Sequence, residues 1–171
     1  MAVKITILGD THLNSFEELP KEILKELLES DWVIHVGDYT SPKIVTGLVN
    51  LKGERFRGVY GNADPIDVRN MTKSKEIIEI LGKKIGIIHP AFGGPEEKIE
   101  DKILTEFANE DLDVITYGHS HYSKIITKEN LLLVNPGKGY LEINYFGPPT
   151  TIVILTIDDD EIHGEIKEIK T

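Results

Sequence analysis

Residues able to bind metal ions follow a series of short apolar runs along this chain. The blocks are Gly9-Asp10-Thr11-His12, Gly37-Asp38, Gly61-Asn62-Ala63-Asp64, His89 and Gly118-His119-Ser120-His121. Their Asp10, Asp38 and Asn62 oxygens, with the nitrogens of four histidines, form a mixed oxygen and nitrogen ligand set. Such a set suits Mn²⁺, Zn²⁺, Fe²⁺ or Ni²⁺ better than an oxygen-only site for Mg²⁺ or Ca²⁺ would.

The number of candidate ligands indicates more than one ion. A pair of ions that shares a bridging carboxylate uses such a set naturally, with a water or hydroxide as the second bridge. Paired ions lie about 3.5–4 Å apart, activate water and clamp the oxygens of an in-line displacement at phosphorus. The residues therefore favour a dinuclear hydrolytic centre.

Each block taken alone has a simpler interpretation. An Asp-x-His after a strand is more often a turn than a ligand pair, and Gly-Asp and Gly-Asn are common turn dipeptides. His89 before a proline is typical of a half-buried histidine. Gly-His-x-His is stronger, because alternate residues of an extended segment point the same way. Several such blocks occur in this order, and each follows an apolar run. Coincidence is therefore a poor explanation for the whole set.

Strands must position these residues, and β-branched apolar runs predict them. The predicted strands are 3–8, 32–36, 56–60, 85–88, 114–117, 131–134, 151–157 and 162–169. In an α/β sheet, functional groups collect in the crevice beyond the carboxyl ends of the strands. The blocks all stand at such ends.

Apolar stripes at helical spacing predict helices between the strands. The stripes are Leu19, Ile23, Leu24, Leu27 and Leu28; Ile44, Val45, Leu48 and Val49; and Ile99, Ile103, Leu104, Phe107 and Ala108. Ser41 can cap the second helix, with Pro42 at its first position. Strands alternating with helices predict an α/β fold, and the helix-poor part after Val114 predicts antiparallel pairing, so a mixed sheet or sandwich fits best.

Composition narrows the chemistry and the partners. The 171 residues predict a single domain, 1–171, and the absence of cysteine excludes zinc–thiolate sites and thiol catalysis. A net charge of −10 makes nucleic acid an unfavourable partner, although two bound ions would make the mouth of the site locally positive and suited to a small phosphoester.

The apolar runs are too short for a membrane span or signal peptide, so we expect a cytoplasmic protein with no membrane partner. A homo-oligomer is compatible with the sequence.

The order of the blocks resembles the calcineurin-like metallophosphoesterase superfamily. Its pattern is GD-x-H, GD, GN-x-[DE], a later histidine and GH-x-H, and the closest resemblance is to the small single-domain phosphodiesterases of bacteria and archaea. The similarity spans Asp10 to about Gly137 and includes Asn135-Pro136-Gly137. It implies a four-layer architecture in which two mixed β-sheets are sandwiched between α-helices.

The resemblance also implies a role for each matching position. Asp10, His12 and His121 would hold the first metal; Asn62, His89 and His119 would hold the second; and Asp38 would bridge both. Asp38 and Asn62 are the expected catalytic residues. The implied reaction is hydrolysis of a small phosphoester, with a diester as the expected substrate, by attack of a metal-bridging hydroxide. Two divalent ions are expected as cofactors, with Mn²⁺ first and Ni²⁺, Zn²⁺ or Fe²⁺ as alternatives.

The chain departs from the family pattern at three positions. Ala63 stands where many members have a histidine that protonates the leaving group, a contribution of about 10²–10⁴-fold. Asp64 is expected to orient a neighbour rather than to act as the acid. Pro90 replaces the usual glycine after the histidine ligand. Lys138 replaces a serine; a lysine there can contact a substrate anion or face solvent, and we expect it to face solvent.

A rival interpretation is an interaction scaffold with little catalysis. A eukaryotic retromer subunit resembles these phosphoesterases and also lacks the histidine at the position of Ala63. Retention of every ligand position favours the enzyme. Outside the ligand set, His35 is expected to support the Asp38 loop, His163 to lie on the surface, and Tyr39 is a candidate for the pocket wall.

Overall fold

The computed structural model describes residues 1–90, 95–141 and 146–170. Its strands are β1 (Ala2–Leu8), β2 (Trp32–His35), β3 (Phe56–Gly58), β4 (Lys75–Ile80), β5 (Lys83–Ile88), β6 (Val114–Tyr117), β7 (Lys124–Lys128), β8 (Leu131–Asn135), β9 (Thr151–Asp158) and β10 (Glu161–Glu168). Its α-helices are α1 (Lys21–Glu29), α2 (Pro42–Lys52), α3 (Ile66–Met71) and α4 (Glu96–Glu106). In these residues, no helix is both long and apolar enough to cross a membrane.

The strands form two five-stranded sheets, in the orders β10-β9-β1-β2-β3 and β4-β5-β6-β8-β7. In the first sheet, β1, β2 and β3 are parallel, β9 pairs antiparallel with β1, and β10 pairs antiparallel with β9. In the second sheet, β5, β6 and β8 are parallel, and β4 and β7 are antiparallel edges. Both sheets are therefore mixed, as expected.

Apolar side chains build three clusters that separate four layers. The cluster between the sheets includes Ile5, Ile34, Ile85 and Val153. Helices α1 and α2 cover the outer face of the first sheet through residues such as Ile23 and Leu48, and α4 covers the second through residues such as Ile103. The order helices, sheet, sheet, helix confirms the expected α/β architecture.

Helix α2 begins as the sequence predicts. The Ser41 hydroxyl accepts a hydrogen bond from the Lys43 amide at 3.2 Å, and Pro42 occupies the first helical position. The outer edges of two stripes were predicted wrongly, because Leu28 and Val49 are 65% and 45% exposed. Each follows a buried leucine by one residue, a rotation of about 100° that carries the side chain off the buried face.

Two strands were not predicted, and both are edges of the second sheet. Strand β4 mixes isoleucine with lysine and glutamate, and β7 is half-exposed apart from the exposed Thr127, so neither has an apolar run longer than two residues. The prediction of antiparallel pairing after Val114 is only partly correct. Strand β8 joins β6 in parallel, with Val114 opposite Leu132, because β7 occupies the edge and pairs antiparallel to β8.

A buried carboxylate links the first sheet to α1. Glu26 on α1 is 6% exposed and accepts hydrogen bonds from Lys4 of β1, at 2.8 Å, and from Lys167 of β10. Burial opposes ionisation of Glu26, but the bonds from Lys167 and Lys4 outweigh it and hold its pKa below the usual value. A group of this kind stabilises the fold above its unfolded pKa and stops doing so as pH falls through its folded pKa.

We expect Glu26→Gln to lower the free energy of unfolding by about 1–3 kcal/mol at pH 7, because the bonds to charged donors weaken. At about pH 3 the difference between the variant and the wild type should be smaller than at pH 7, since a larger fraction of the wild-type carboxyl is then protonated. Urea denaturation at both pH values measures the effect. Glu22→Gln, at an exposed position of the same helix, is the control and should change stability by less than about 0.5 kcal/mol. Equal losses in the two variants at pH 7 would contradict the prediction.

Candidate metal centre

The topology brings the seven predicted ligands to one end of the two sheets. Asp10 and His12 follow β1, Asp38 follows β2, and Asn62 follows β3. The ends of β5 and β6 in the second sheet carry the histidines His89, His119 and His121. Both sheets thus contribute, and the site lies where their carboxyl ends meet.

The first group of candidate ligands contains Asp10, His12 and His121, whose ligand atoms all lie within 4.8 Å of one another. Asp10 Oδ1 is 3.5 Å from His121 Nε2 and 4.0 Å from His12 Nε2. This oxygen is buried and has no hydrogen-bond partner among the described residues. Because an unpaired buried carboxylate oxygen is costly, the site fits a cation.

The second group contains Asp38, His89 and His119, again with ligand atoms within 4.8 Å of one another. Asn62 belongs to this group, since its Oδ1 is 3.0 Å from His89 Nε2 and 3.1 Å from His119 Nδ1. A hydrogen bond fixes the orientation of the His89 ring, because Nδ1 donates to the Val36 carbonyl at 2.9 Å. That bond places the His89 proton on Nδ1 and leaves Nε2 facing the centre.

Asp38 stands between the two groups. Its Oδ2 is 3.6 Å from His12 Nε2 in the first group and 3.3 Å from His89 Nε2 in the second. Its Oδ1 accepts a hydrogen bond from the Ala63 amide at 2.8 Å. Burial opposes ionisation, but His89, Ala63 and His12 together lower the pKa of Asp38 to about 2, so the carboxylate is anionic at neutral pH.

The carboxylates also act on the histidines. Burial disfavours a charge on His89, but Asp38 and Asp10 outweigh it and raise the pKa of that ring. The nearby Asp10 carboxylate raises the pKa of His121 in the same way. Protons therefore compete with metal ions for these nitrogens, and metal binding becomes weaker as pH falls.

Five of the candidate ligands have left-handed backbone, namely Asp10, His12, Asp38, His119 and His121, with φ of 48°, 46°, 62°, 90° and 68°. Residues other than glycine adopt this conformation at a cost, and such residues concentrate at functional sites. Two glycines next to these residues are also closely packed against the candidate aspartate ligands. A Cβ on Gly61 would lie 2.2 Å from Asp38 Oδ1, and one on Gly118 would lie 3.0 Å from Asp10 Oδ2.

Asp64 holds the Asp38 loop instead of facing the ligands. Its carboxylate accepts hydrogen bonds from the amides of Asp38, Gly61 and Thr40 at 2.9, 2.8 and 2.7 Å. Burial outweighs these bonds and raises the pKa of Asp64. The bonds agree with the expectation that this residue orients a neighbour.

His35 joins the two loops that carry the aspartates. It is fully buried, accepts a hydrogen bond from the Gly37 amide at Nδ1 (3.1 Å), and donates from Nε2 to Thr11 Oγ1 (3.0 Å). Burial lowers its pKa to about 3, so the ring is neutral. This agrees with the expectation that His35 supports the Asp38 loop. Tyr39 is also fully buried, stacked on His35 at 3.7 Å, and does not line the pocket.

The expectation that Lys138 faces solvent is wrong. Lys138 is 2% exposed, and its Nζ lies 4.5 Å from the centre of the Tyr140 ring. Lys138 is buried because backbone hydrogen bonds hold the segment after β8 on both sides. The Lys138 carbonyl accepts from the Thr151 amide at 3.0 Å, and the Gly139 amide donates to the Asp10 carbonyl at 3.3 Å.

Two residues near the candidate ligands were not identified from the sequence. Tyr140 packs edge-on against His12 and His121, with ring centres 5.5 and 6.1 Å apart, and no local pattern distinguishes it from any aromatic residue in a loop. Asn135 is buried and donates to the Ser120 hydroxyl at 2.9 Å, between the two histidines of that block. The Asn-Pro-Gly segment was the only available signal for Asn135.

The support that Asp64 gives the Asp38 loop predicts an effect on metal binding. We expect Asp64→Asn to weaken the affinity for Mn²⁺ by about 10–100-fold, because the amide group replaces acceptor oxygens and the Asp38 loop loses its alignment. Isothermal titration calorimetry measures this. Asp67→Asn, at an exposed position three residues later, is the control. An unchanged affinity in Asp64→Asn, with the control also unchanged, would contradict the role assigned to Asp64.

The sequence of this chain is similar to those of known proteins. A probable metallophosphoesterase of Methanocaldococcus jannaschii is 34% identical over 135 residues, which cover 78% of this chain and 66% of that protein. The chain thus spans just under two thirds of that relative's length. A phosphodiesterase of the same organism is 29% identical over 154 residues, covering 81% of this chain and 87% of that protein.

The fold itself extends to more distant proteins. The structure of Vacuolar Protein Sorting 29 from Cryptosporidium parvum matches with a TM-score of 0.73, covering 99% of both chains, at 17% sequence identity, a level that shows the fold alone. The family model of the calcineurin-like phosphoesterase superfamily domain matches residues 3–160. With nearly the whole chain matched, this protein belongs to the calcineurin-like phosphoesterase superfamily.

Proposed function

We propose that this chain is a dinuclear metal-dependent phosphodiesterase that hydrolyses a small phosphoester, with residues 1–171 forming one domain. The observation that carries the proposal is the position of Asp38, whose Oδ2 lies 3.6 Å from a nitrogen of the first group and 3.3 Å from a nitrogen of the second. The phosphodiesterase relative from Methanocaldococcus jannaschii supports the reaction class.

The candidate ligands divide into two sets with one shared member. In this proposal Asp10, His12 and His121 hold one ion, Asn62, His89 and His119 hold the other, and Asp38 contacts both. When bound, the two divalent ions lower the pKa of a water molecule and neutralise charge on the phosphoryl oxygens. We propose Mn²⁺ as the ion, with Ni²⁺, Zn²⁺ and Fe²⁺ as alternatives that the same donors accept.

Asp38 and Asn62 are the proposed catalytic residues. The low pKa of Asp38 keeps its carboxylate charged at neutral pH, so it holds its position between the two sets without a proton. Asn62 is exposed at the mouth, and its Oδ1 faces His89 and His119. The amide nitrogen of Asn62 provides N–H donors for a phosphoryl oxygen of the substrate.

The charge distribution limits the substrate. The chain carries a net charge of −10, which disfavours a long polyanion such as nucleic acid. Two divalent ions add about four positive charges at one end of the sheets, enough to attract a single phosphate group. The expected partner is therefore a small phosphoester. A cytoplasmic location and a homo-oligomeric state remain predictions.

Metal bridging by Asp38 can be tested by substitution. We expect Asp38→Asn to lower kcat/KM for bis(p-nitrophenyl) phosphate by at least about 100-fold, the scale of losing one preorganised electrostatic element. Metal analysis should find fewer bound ions than in the wild type. The control is Asp111→Asn, at an exposed position outside the centre. Unchanged hydrolysis in Asp38→Asn, or at most one ion in the wild type, would overturn the dinuclear proposal.

The same experiment separates the enzyme from the scaffold. A protein that binds two ions and hydrolyses no phosphodiester would fit the interaction scaffold, a role compatible with the shared fold of Vacuolar Protein Sorting 29. Retention of all seven candidate ligands in one cluster supports the enzyme.

Ala63 predicts a dependence on the leaving group. Its side chain is exposed and cannot donate a proton, so aryl diesters with good leaving groups should react faster than alkyl diesters. We expect Ala63→His to raise kcat/KM for an alkyl diester more than for an aryl diester. Ala63→Gln, which has no titratable proton, is the control. Equal wild-type rates on the two substrate types would show that a proton donor at this position is unimportant.

A further inference from the structure

An aromatic residue outside the candidate ligand set borders the first group. The Tyr140 ring lies edge-on to His12 and His121, with ring centres 5.5 and 6.1 Å away. The ring is partly exposed, so it forms part of the wall of the mouth on this side. Leu141, the next residue, is 38% exposed, and Tyr122, which follows His121, is 62% exposed. The chain segments next to His121 and Tyr140 therefore carry exposed apolar and aromatic side chains.

The Tyr140 backbone is held on both sides. Its carbonyl accepts a hydrogen bond from the Thr150 hydroxyl, and the preceding Gly139 donates to the Asp10 carbonyl at 3.3 Å. Gly139 also permits this close approach, since a Cβ there would lie 2.9 Å from the Gly9 carbonyl oxygen. The wall is thus attached directly to the loop that carries Asp10.

The Tyr140 ring is held as well. The Lys138 ammonium, with the residue only 2% exposed, lies 4.5 Å from the ring centre, within the range of a cation–π contact. A buried cation against the ring resists its rotation. A ring that is already immobilised loses little entropy when a ligand packs on it, so it is suited to binding a flat group.

The position of the Tyr140 ring relative to Asp38 identifies which part of a substrate would contact the ring. A phosphate centred over Asp38 has the exposed Asn62 and Ala63 on the side of the second group, and Tyr140 on the side of the first. Ala63 offers almost no contact surface. A diester has two ester groups, and the one directed toward Tyr140 meets an aromatic wall.

We propose that Tyr140, held by Lys138, forms a subsite for an aromatic ring on the ester group that remains on the phosphate after hydrolysis. The substrate class is then aryl or nucleoside phosphodiesters in preference to simple alkyl diesters. This inference rests on the proposed phosphodiesterase function. Stacking of a ligand ring on a preformed aromatic side chain is the interaction that provides the selectivity.

The kinetic test varies the retained group while the leaving group stays the same. Phenyl p-nitrophenyl phosphate and methyl p-nitrophenyl phosphate both release p-nitrophenolate, so differences in leaving-group chemistry cancel. We expect the wild type to favour the phenyl ester by about tenfold in kcat/KM, mainly through KM. Tyr140→Leu should reduce that ratio to near one, because the phenyl ester loses the ring contact that the methyl ester never makes. Tyr140→Phe keeps the ring and should keep the preference.

A binding test does not depend on turnover. Phenylphosphonate and methylphosphonate carry the same charge, and calorimetry on the Mn²⁺-loaded protein compares their affinities. Tyr140→Leu should weaken phenylphosphonate by about tenfold and leave methylphosphonate unchanged. A wild type without preference for the phenyl compounds, or a preference that survives in Tyr140→Leu, would overturn the subsite. Ring-selective binding without any hydrolysis would support the subsite while the proposed phosphodiesterase activity fails.

Discussion

The buried Asp38 carboxylate is the constraint on which the rest of the centre depends. A carboxylate with a pKa of about 2 at the junction of two sheets must be compensated from several directions. His89 and the Ala63 amide supply part of that compensation, and His12 approaches from the other group. Because each partner comes from a different loop, the charge at Asp38 fixes the relative positions of those loops.

A second layer of buried polar groups keeps these loops in a costly conformation. Left-handed backbone at Asp10, His12 and Asp38 persists only where surrounding contacts determine it. Asp64 accepts two hydrogen bonds from amides of the Asp38 loop and one from the Gly61 amide, and neutral His35 ties the Asp38 loop to Thr11. Burial raises the pKa of Asp64 and lowers that of His35 to about 3, which keeps His35 uncharged beside the candidate cation sites. The rigid core between the sheets provides the frame against which this strain is held.

The predicted and the unpredicted parts of the fold differ in how their side chains are buried. The second half of β1 and the whole of β6 are buried on both faces and consist mainly of apolar residues, which is why their ends could be located and the ligand blocks assigned to them. Strands β4 and β7 are half-exposed edges whose charged residues hide the pattern. The parallel pairing of β8 with β6 depends on where β7 lies, a long-range choice that no local pattern reports.

The sequence alone determined the donor types, their order, and their places after strands, because those follow from local chemistry and from the period of the apolar residues. Without cysteine, any metal chemistry had to use aspartate, asparagine and histidine. Tertiary structure decided which donors face each other, that Asp38 lies between two groups, and that Lys138 is buried behind Tyr140. Those relations join residues far apart in the chain, such as Gly139 and Asp10, and they arise only when two sheets pack so that the ends of their strands meet.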